Sequence, residues 1–452
     1  MSRLPQYIED LLGCPVGDFA TSSLQRSAAV VADTVAVATL AAGQAELRAL
    51  AAAAPAGYSS TVLHGVPSTD PDTAALVNAT AAVWNELDEG LRGAGHPAAH
   101  VVPAAVAVAE TEGRSATDLL IAVVCGYQVQ ADLGRAFVLH ESVHPHGALG
   151  APAAALAASR LLGLDVTRAV HAVGIAADLA PAGSWTSCVS GRTVRHVLAG
   201  HGAQVGVRAA YLAQAGVTSA PDALDVAFGQ VRGTRAATAG KRDRLRPVDW
   251  AIHRGYLKRW SACAWSHAAL DAAASLIPSL DTGSGIVGGS IVRVEVRVPR
   301  VAMRLKDVNR ESGLAVRFSL PMLLATLFTY GDLNDHVDDA WHDHDVLDLA
   351  TRVIVREDPA MTRRWPQDMP SAVTVVTADG STLEASVSDA EGPVDDEGYV
   401  VAVRKKLREL CADQVLLDRL LAQATTPAST PVRRLFASDR SSNDEVTQIG
   451  SM

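Results

Sequence analysis

Four polar islands interrupt an otherwise apolar chain, and each holds side chains suited to moving protons or binding anions. The first, NELDEGLRGAGHPAAH at 85–100, offers Glu86, Asp88, Glu89, His96 and His100. The second, HESVHPHG at 140–147, contributes His144 and His146. The third, SCVSGRTVRHVLAGHG at 187–202, carries Arg192, Arg195, His196 and His201, and the fourth, YLKRWSACAWSH at 256–267, carries Lys258, Arg259, Cys263 and His267. Imidazoles titrate near neutral pH and suit general acid/base work, while clustered cations can hold a polycarboxylate in place. Each island also has a plainer reading. A single histidine in a helical protein is most often structural; Glu86, Asp88 and Glu89 can be helix-terminal charges, and Arg192 and Arg195 can be surface pairs of little energetic worth.

Two histidine clusters raise the question of a metal. In HPHGALG the two imidazoles flank a proline, and in WHDHD at 341–345 four potential ligands are adjacent. Neighbouring residues on a helix or strand point in different directions, which argues against WHDHD as a metal site. HPHGALG reads instead as a loop that delivers one imidazole at a helix start, Gly147 allowing a tight turn and Pro145 restraining it. There is no HExxH, GxxxxGK[ST], GxSxG or dinucleotide fingerprint, so metalloprotease, P-loop and common hydrolase chemistries are not expected.

The elements that must position these islands come in two kinds. From about Ser23 to Ser275 nearly every segment is helical in pattern: 24–43, 71–90, 101–113, 116–134 and 151–165 each carry helical periodicity with a Gly or Asp near the end. No fixed repeat period links them. After Ile277 the pattern changes: 291–298 and 352–358 read as strands, 319–328 as a helix, and 372–387 as a hairpin turning at Asp379–Gly380. The expected fold class is mainly α with an α+β second domain. Its expected layout is a large all-helical domain over 1–275, a smaller α+β domain over 276–398, a C-terminal helix over 399–436 returning to the first domain, and a disordered tail over 437–452. A cleft between two such domains is a natural place for a small-molecule site.

Composition narrows the partners. The 452 residues are 48% hydrophobic, 19% charged and 4% aromatic, with a net charge of −10, so the core is built from small aliphatic side chains and no basic face is offered to nucleic acid or an acidic membrane. Five scattered cysteines without a CxxC pair fit reduced thiols. The N-terminus lacks an apolar signal core and no uninterrupted 18-residue apolar run is evident, which points to the cytoplasm.

Taken in order, the islands resemble the MmgE/PrpD family, which includes 2-methylcitrate dehydratase, cis-aconitate decarboxylase and iminodisuccinate epimerase. The resemblance rests on AALVNATAAVWNELDEG with GHPAAHVVPAAVAVAE, on HPHGALGAPAAALAASRLLGL, on KRWSACAWSHAALDA and on FSLPMLLAT, and runs from Asp33 to about Lys405. It implies a helical domain with an α+β lid, no cofactor, no metal and a homodimer. It places Glu86, His96 and His144 at catalytic positions, His144 exchanging a proton with carbon, His96 assisting a departing hydroxyl and Glu86 orienting an imidazole. Lys258, Arg195, Cys263 and His267 fall at substrate-binding positions. The chain departs from the family pattern at Gly90 for threonine, Val83 and Leu198 for histidine, Arg195 for lysine and Met322 for an aromatic residue. Cys263 stands where the decarboxylases have histidine, and His146 has no family counterpart and reads as structural. The implied activity is that of a cofactor-independent hydro-lyase on a 2-methylcitrate-like hydroxy polycarboxylate. Decarboxylase or epimerase action on a related carboxylate is the alternative, and a degenerate ligand-binding member the second.

Overall fold

The computed structural model describes residues 4–62, 66–237, 250–280, 290–390, 392, 395–426 and 429–436. The tail expected over 437–452 lies outside them, as does most of the linker-like stretch after Leu280. Two apolar cores organise the described residues. The first is helical. Thr21–Leu40 runs through its middle and packs against Pro71–Ala82, Pro97–Thr111 and Ala116–Ala136. Gly150–Leu162, Val166–Leu179 and Val194–Gln214 complete this layer. Alanine and glycine at the crossings let these helices approach closely: a Cβ on Gly150 would collide with the His100 ring, and one on Gly202 with Gly147.

The caps follow from local chemistry. Ser115 and Asp118 form a reciprocal capping box on Ala116–Ala136, and Gly163 closes Gly150–Leu162 in the left-handed conformation with φ 70°. Thr21–Gly43 is long and apolar enough to cross a membrane, which the sequence reading did not register; it lies mostly buried as the central helix of the first core.

The second core forms around a four-stranded mixed sheet. Ile291–Val298 pairs in parallel with Val353–Glu357 on one side and antiparallel with Ser371–Thr377 on the other, and Thr382–Val387 adds an antiparallel edge. Alternation along the central strand buries Val294, Val296 and Val298. The helices His267–Leu276 and Leu320–Tyr330 pack against this sheet. Trp260, Ala262 and His267–Leu276 therefore belong to the second core, upstream of the boundary at 276 that composition suggests.

Past the sheet the chain returns to the first core as Asp396–Glu409 and Val415–Thr425, which bury Tyr399, Val403, Leu407 and Leu417 there. Charged contacts fix this return. Arg26 lies over the Tyr399 ring, 3.3 Å from its centroid, and Asp396 meets His253 at 2.7 Å. Lys406 reaches Asp33 at 2.7 Å and donates to the Leu87 carbonyl at 2.6 Å. Both ends of the Asp33–Lys406 pair are out of water, so removing one strands the other. Lys406→Met should lower unfolding stability by about 3 kcal/mol in urea titrations, the scale expected for one partner of a buried pair. An unchanged midpoint would show that the returning helix is held by its apolar face alone.

Candidate active site

The helix starting at Pro71 stops at Ala82, not at Gly90 as its periodicity suggests. Residues 83–96 form a loop instead, and Glu86 sits at φ 52°, a conformation a side chain adopts only when its surroundings impose it. The surroundings here are ionic. Glu86 pairs with Arg195 through Oε1 and with Lys258 at 3.1 Å through Oε2, and Lys258 reaches Asp88 at 3.1 Å. All four side chains are at most 1% exposed. Burial disfavours each charge, yet the partners win. Lys258 and His96 hold Asp88 well below the usual carboxylate range against desolvation, and the two carboxylates hold the Lys258 ammonium and Arg195 guanidinium above theirs. Two negative charges face two positive ones, and the cluster is neutral.

His96 ends the loop as the N-cap of Pro97–Thr111. Its Nδ1 lies 2.8 Å from Asp88 Oδ2 and 2.8 Å from the Glu89 carbonyl. Both neighbours only accept hydrogen bonds, so Nδ1 carries a proton, and in the neutral ring Nε2 is the nitrogen that holds the lone pair. Glu89 caps the same helix, accepting from the Ala98 N–H at 2.6 Å and from the Tyr127 hydroxyl at 2.9 Å. Burial pushes the Glu89 carboxyl up to about 8.

The HPHG loop brings two more imidazoles into one group, and His100 on Pro97–Thr111 adds a third. The His146 ring packs, tilted, 4.7 Å from His96 and 4.7 Å from His144, with His100 edge-on at 5.6 Å, and Trp185 meets His144 edge-on at 4.3 Å. His100 donates to the His96 carbonyl at 2.9 Å and accepts from the Gly147 N–H at 2.9 Å, so both nitrogens are used and it ties the two histidine loops together. His144 Nδ1 accepts the His146 backbone N–H at 3.1 Å, which leaves its proton on Nε2. Desolvation comes first in lowering His100 to about 4 and in holding His144 and His146 well below their ordinary value.

Of the residues singled out in the sequence, Glu86, Arg195, Lys258, His96 and His144 thus converge, although Glu86 pairs with cations and it is Asp88 that orients the imidazole. Cys263 and His267 are buried behind them. The Cys263 thiol is pushed up to about 12 by burial, and His267 Nε2 meets the Ala262 carbonyl at 3.3 Å, with burial taking its pKa down to about 3. Asp88 and His146 carry more of the geometry than their local pattern suggested. The acidic triplet is not a set of helix-terminal charges, because the helix ends before it. Arg195 is not a surface residue, whereas Arg192 is 66% exposed.

At Gly90, where the family pattern has threonine, a Cβ would run into the Tyr256 hydroxyl, and the two residues pair through Gly90 N–H to Tyr256 O at 3.1 Å and its reverse at 2.8 Å. A phenol fills that space in this chain. Met322 is buried in the second core. The WHDHD segment is a helix start: Asp343 caps His344–Ala350, and His344 is 96% exposed. Among the described residues, ligand atoms of Asp88, His96 and His146 lie within 4.8 Å of one another, close enough to grasp an ion. Lys258 beside Asp88 and Arg195, 3.5 Å from His146, would repel a dication there.

Residues 6–243 match the MmgE/PrpD N-terminal domain and residues 260–422 the MmgE/PrpD C-terminal domain. The chain belongs to the MmgE/PrpD family. It is similar to a human protein named cis-aconitate decarboxylase, 28% identical over 305 residues that make up 64% of this chain and 63% of the human one. A mouse protein of the same name is 30% identical over 181 residues, 38% of this chain and 36% of its own. An Aspergillus terreus protein, again so named, is 28% identical over 226 residues, 47% and 46% of the two chains. The matches span less than two thirds of each relative's length.

Glu89 gives this site a pH signature. Its folded pKa of about 8 lies above its ordinary 4.5, so the folded chain keeps a proton that the unfolded chain releases between those values. Stability from this group is full below 4.5 and is lost as pH rises through 8. Glu89→Gln keeps an acceptor for the Ala98 N–H and removes the titration. Its urea midpoint should fall less between pH 5 and pH 9 than that of the wild type, and equal slopes would place the ionised carboxylate in the fold.

Proposed function

We propose that this chain is a lyase that breaks a bond at the carbon beside a carboxylate in a small polycarboxylate, with His96 as the proton-transferring group. The observation that carries this reading is the Asp88–His96 pair: a buried carboxylate fixes a proton on Nδ1 and leaves Nε2 free of that contact, in a ring packed 4.7 Å from that of His146. Asp88 faces the positive charge that His96 acquires on taking a proton, so the charge is met in place without solvent reorganisation. Arg195 Nε has no hydrogen-bond partner among the described residues and is our choice for holding a substrate carboxylate. His144, carrying its proton on Nε2, serves as a second donor. These roles exchange those that the resemblance suggests for His96 and His144.

In dehydration, His96 Nε2 takes the proton from carbon, the C–O bond breaks as the C=C bond forms, and the proton leaves with the hydroxyl as water. In decarboxylation His96 Nε2 first takes a proton from water; the C–C bond to the carboxyl breaks, CO2 leaves, and the electron pair stays on carbon, which takes that proton from the imidazolium. One imidazole can perform either sequence. We favour dehydration of a 2-methylcitrate-like hydroxy polycarboxylate, because Cys263 is a neutral thiol where the decarboxylase pattern calls for an imidazole. The names carried by the human, mouse and Aspergillus relatives favour cis-aconitate decarboxylation as the second reading.

Purified protein should therefore generate the absorbance of a new C=C bond from 2-methylcitrate or citrate, and His96→Ala should reduce kcat by about 10³ or more, the upper part of the range for losing a general base. Release of CO2 from cis-aconitate with no dehydration would select the second reading. No turnover on any of the three would contradict both and favour a ligand-binding member.

A further inference from the structure

His146 has no counterpart in the family pattern, and it occupies the middle of the group. Its ring lies between His96 and His144, it is 1% exposed, and one of its nitrogens is within 4.8 Å of ligand atoms of both His96 and Asp88. Its tautomer follows from its neighbour. Arg195 Nη2 approaches Nε2 at 3.5 Å, and a guanidinium can only donate, so Nε2 accepts and the proton is on Nδ1. That Nδ1 is buried and has no hydrogen-bond partner among the described residues. An unpaired N–H out of water is costly, and a fold that retains one has a donor waiting for an acceptor.

We propose that His146 is a catalytic residue of this site, its neutral Nδ1–H donating a hydrogen bond to the oxygen that gains negative charge on the substrate carboxylate as His96 exchanges the adjacent proton. This assignment rests on the lyase reading above and adds the electrophilic half of the reaction to it. No proton leaves His146 and no bond to it forms, so the step needs no further reactant. Burial first, then the Arg195 charge, keep its pKa well below the ordinary value, and an uncharged imidazole is the form that retains an acceptor at Nε2 for Arg195 while donating from Nδ1. A neutral histidine polarising a carbonyl in a sealed site is an established catalytic device. The other imidazoles are committed differently: His100 has both nitrogens bonded, and the Nδ1 atoms of His96 and His144 are taken by Asp88 and by a backbone N–H.

Two measurements test the assignment, and only one depends on turnover. Replacing the donor by His146→Ala should lower kcat about 10²–10³-fold, the scale for one oxyanion donor, with KM within about threefold. His146→Gln, which restores an N–H without a titrating ring, should recover at least about tenfold of that loss. A glutamine variant as inactive as alanine, or an alanine variant within about threefold of wild type, overturns the proposal. Independently of any substrate, long-range 1H–15N spectra of protein labelled at histidine nitrogen, with the signal assigned by its loss in His146→Gln, should show a neutral Nδ1–H ring from pH 6 to pH 8. A proton on Nε2, or a charged ring at pH 7, overturns it. Should wild type turn over none of the three acids, the lyase reading fails by itself, and the spectrum still decides whether His146 is the donor described.

Discussion

The architecture depends on a neutral knot of four buried charges. Glu86 and Asp88 come from the loop after Pro71–Ala82, Arg195 from the start of Val194–Gln214, and Lys258 from the segment that leads into the second core. Taking any one of these ions out of water costs several kcal/mol, which its ionic partners in the knot chiefly repay. The site therefore forms only when three distant parts of the chain meet, and each ion holds its partners where they are. The positive φ of Glu86 is the local trace of that constraint. Lys406 extends it to the C-terminal helices through the Leu87 carbonyl, which lies between Glu86 and Asp88. Fold and chemistry thus share one set of contacts.

From this knot the histidines take distinct identities. Four imidazoles of the same chemistry are separated by their second nitrogen: Asp88 and Glu89 fix His96, a carbonyl and an N–H fix His100, a backbone N–H fixes His144, and Arg195 fixes His146. His96 and His146, 4.7 Å apart, carry their protons on the same nitrogen but differ in what meets it: Asp88 takes the His96 Nδ1–H, while His146 Nδ1 has no partner among the described residues. Two departures from the family pattern meet here. Tyr256 fills the volume that a side chain at 90 would need, and His146 adds a ring in the centre.

Much of this was legible in the sequence where local chemistry decides. The strand at 291–298 and the hairpin at Asp379–Gly380 follow from side-chain alternation and turn residues, and the structure carries both; each helical period marks a true helix, though the one read over 71–90 ends at Ala82. The four polar islands were visible because they interrupt apolar faces. What the sequence could not show was set by partners far along the chain. The early end of the helix at Ala82 depends on cations more than a hundred residues away, so periodicity alone ran it on to Gly90. The pairing of His96 with Asp88 rather than Glu86, and the central position of His146, depend on which way a loop turns, and His-Pro-His spacing carries no such information. The second core takes in the chain from Trp260, and Cys188 before it, because the helix His267–Leu276 is apolar on the face the sheet covers, which composition does not separate from the helices before it.

The central claim is that Asp88 makes His96 a base by holding its proton on Nδ1. Asp88→Asn tests it most directly, since the amide keeps the shape but can donate toward Nδ1 and turn the ring to its other tautomer. On whichever carboxylate the wild type consumes, Asp88→Asn should be less stable, because Lys258 loses a partner, and its folded fraction should lose about 10⁴ in kcat/KM at neutral pH, the scale known for breaking an aspartate–histidine pair. A variant that folds and stays within about tenfold of wild type would contradict it.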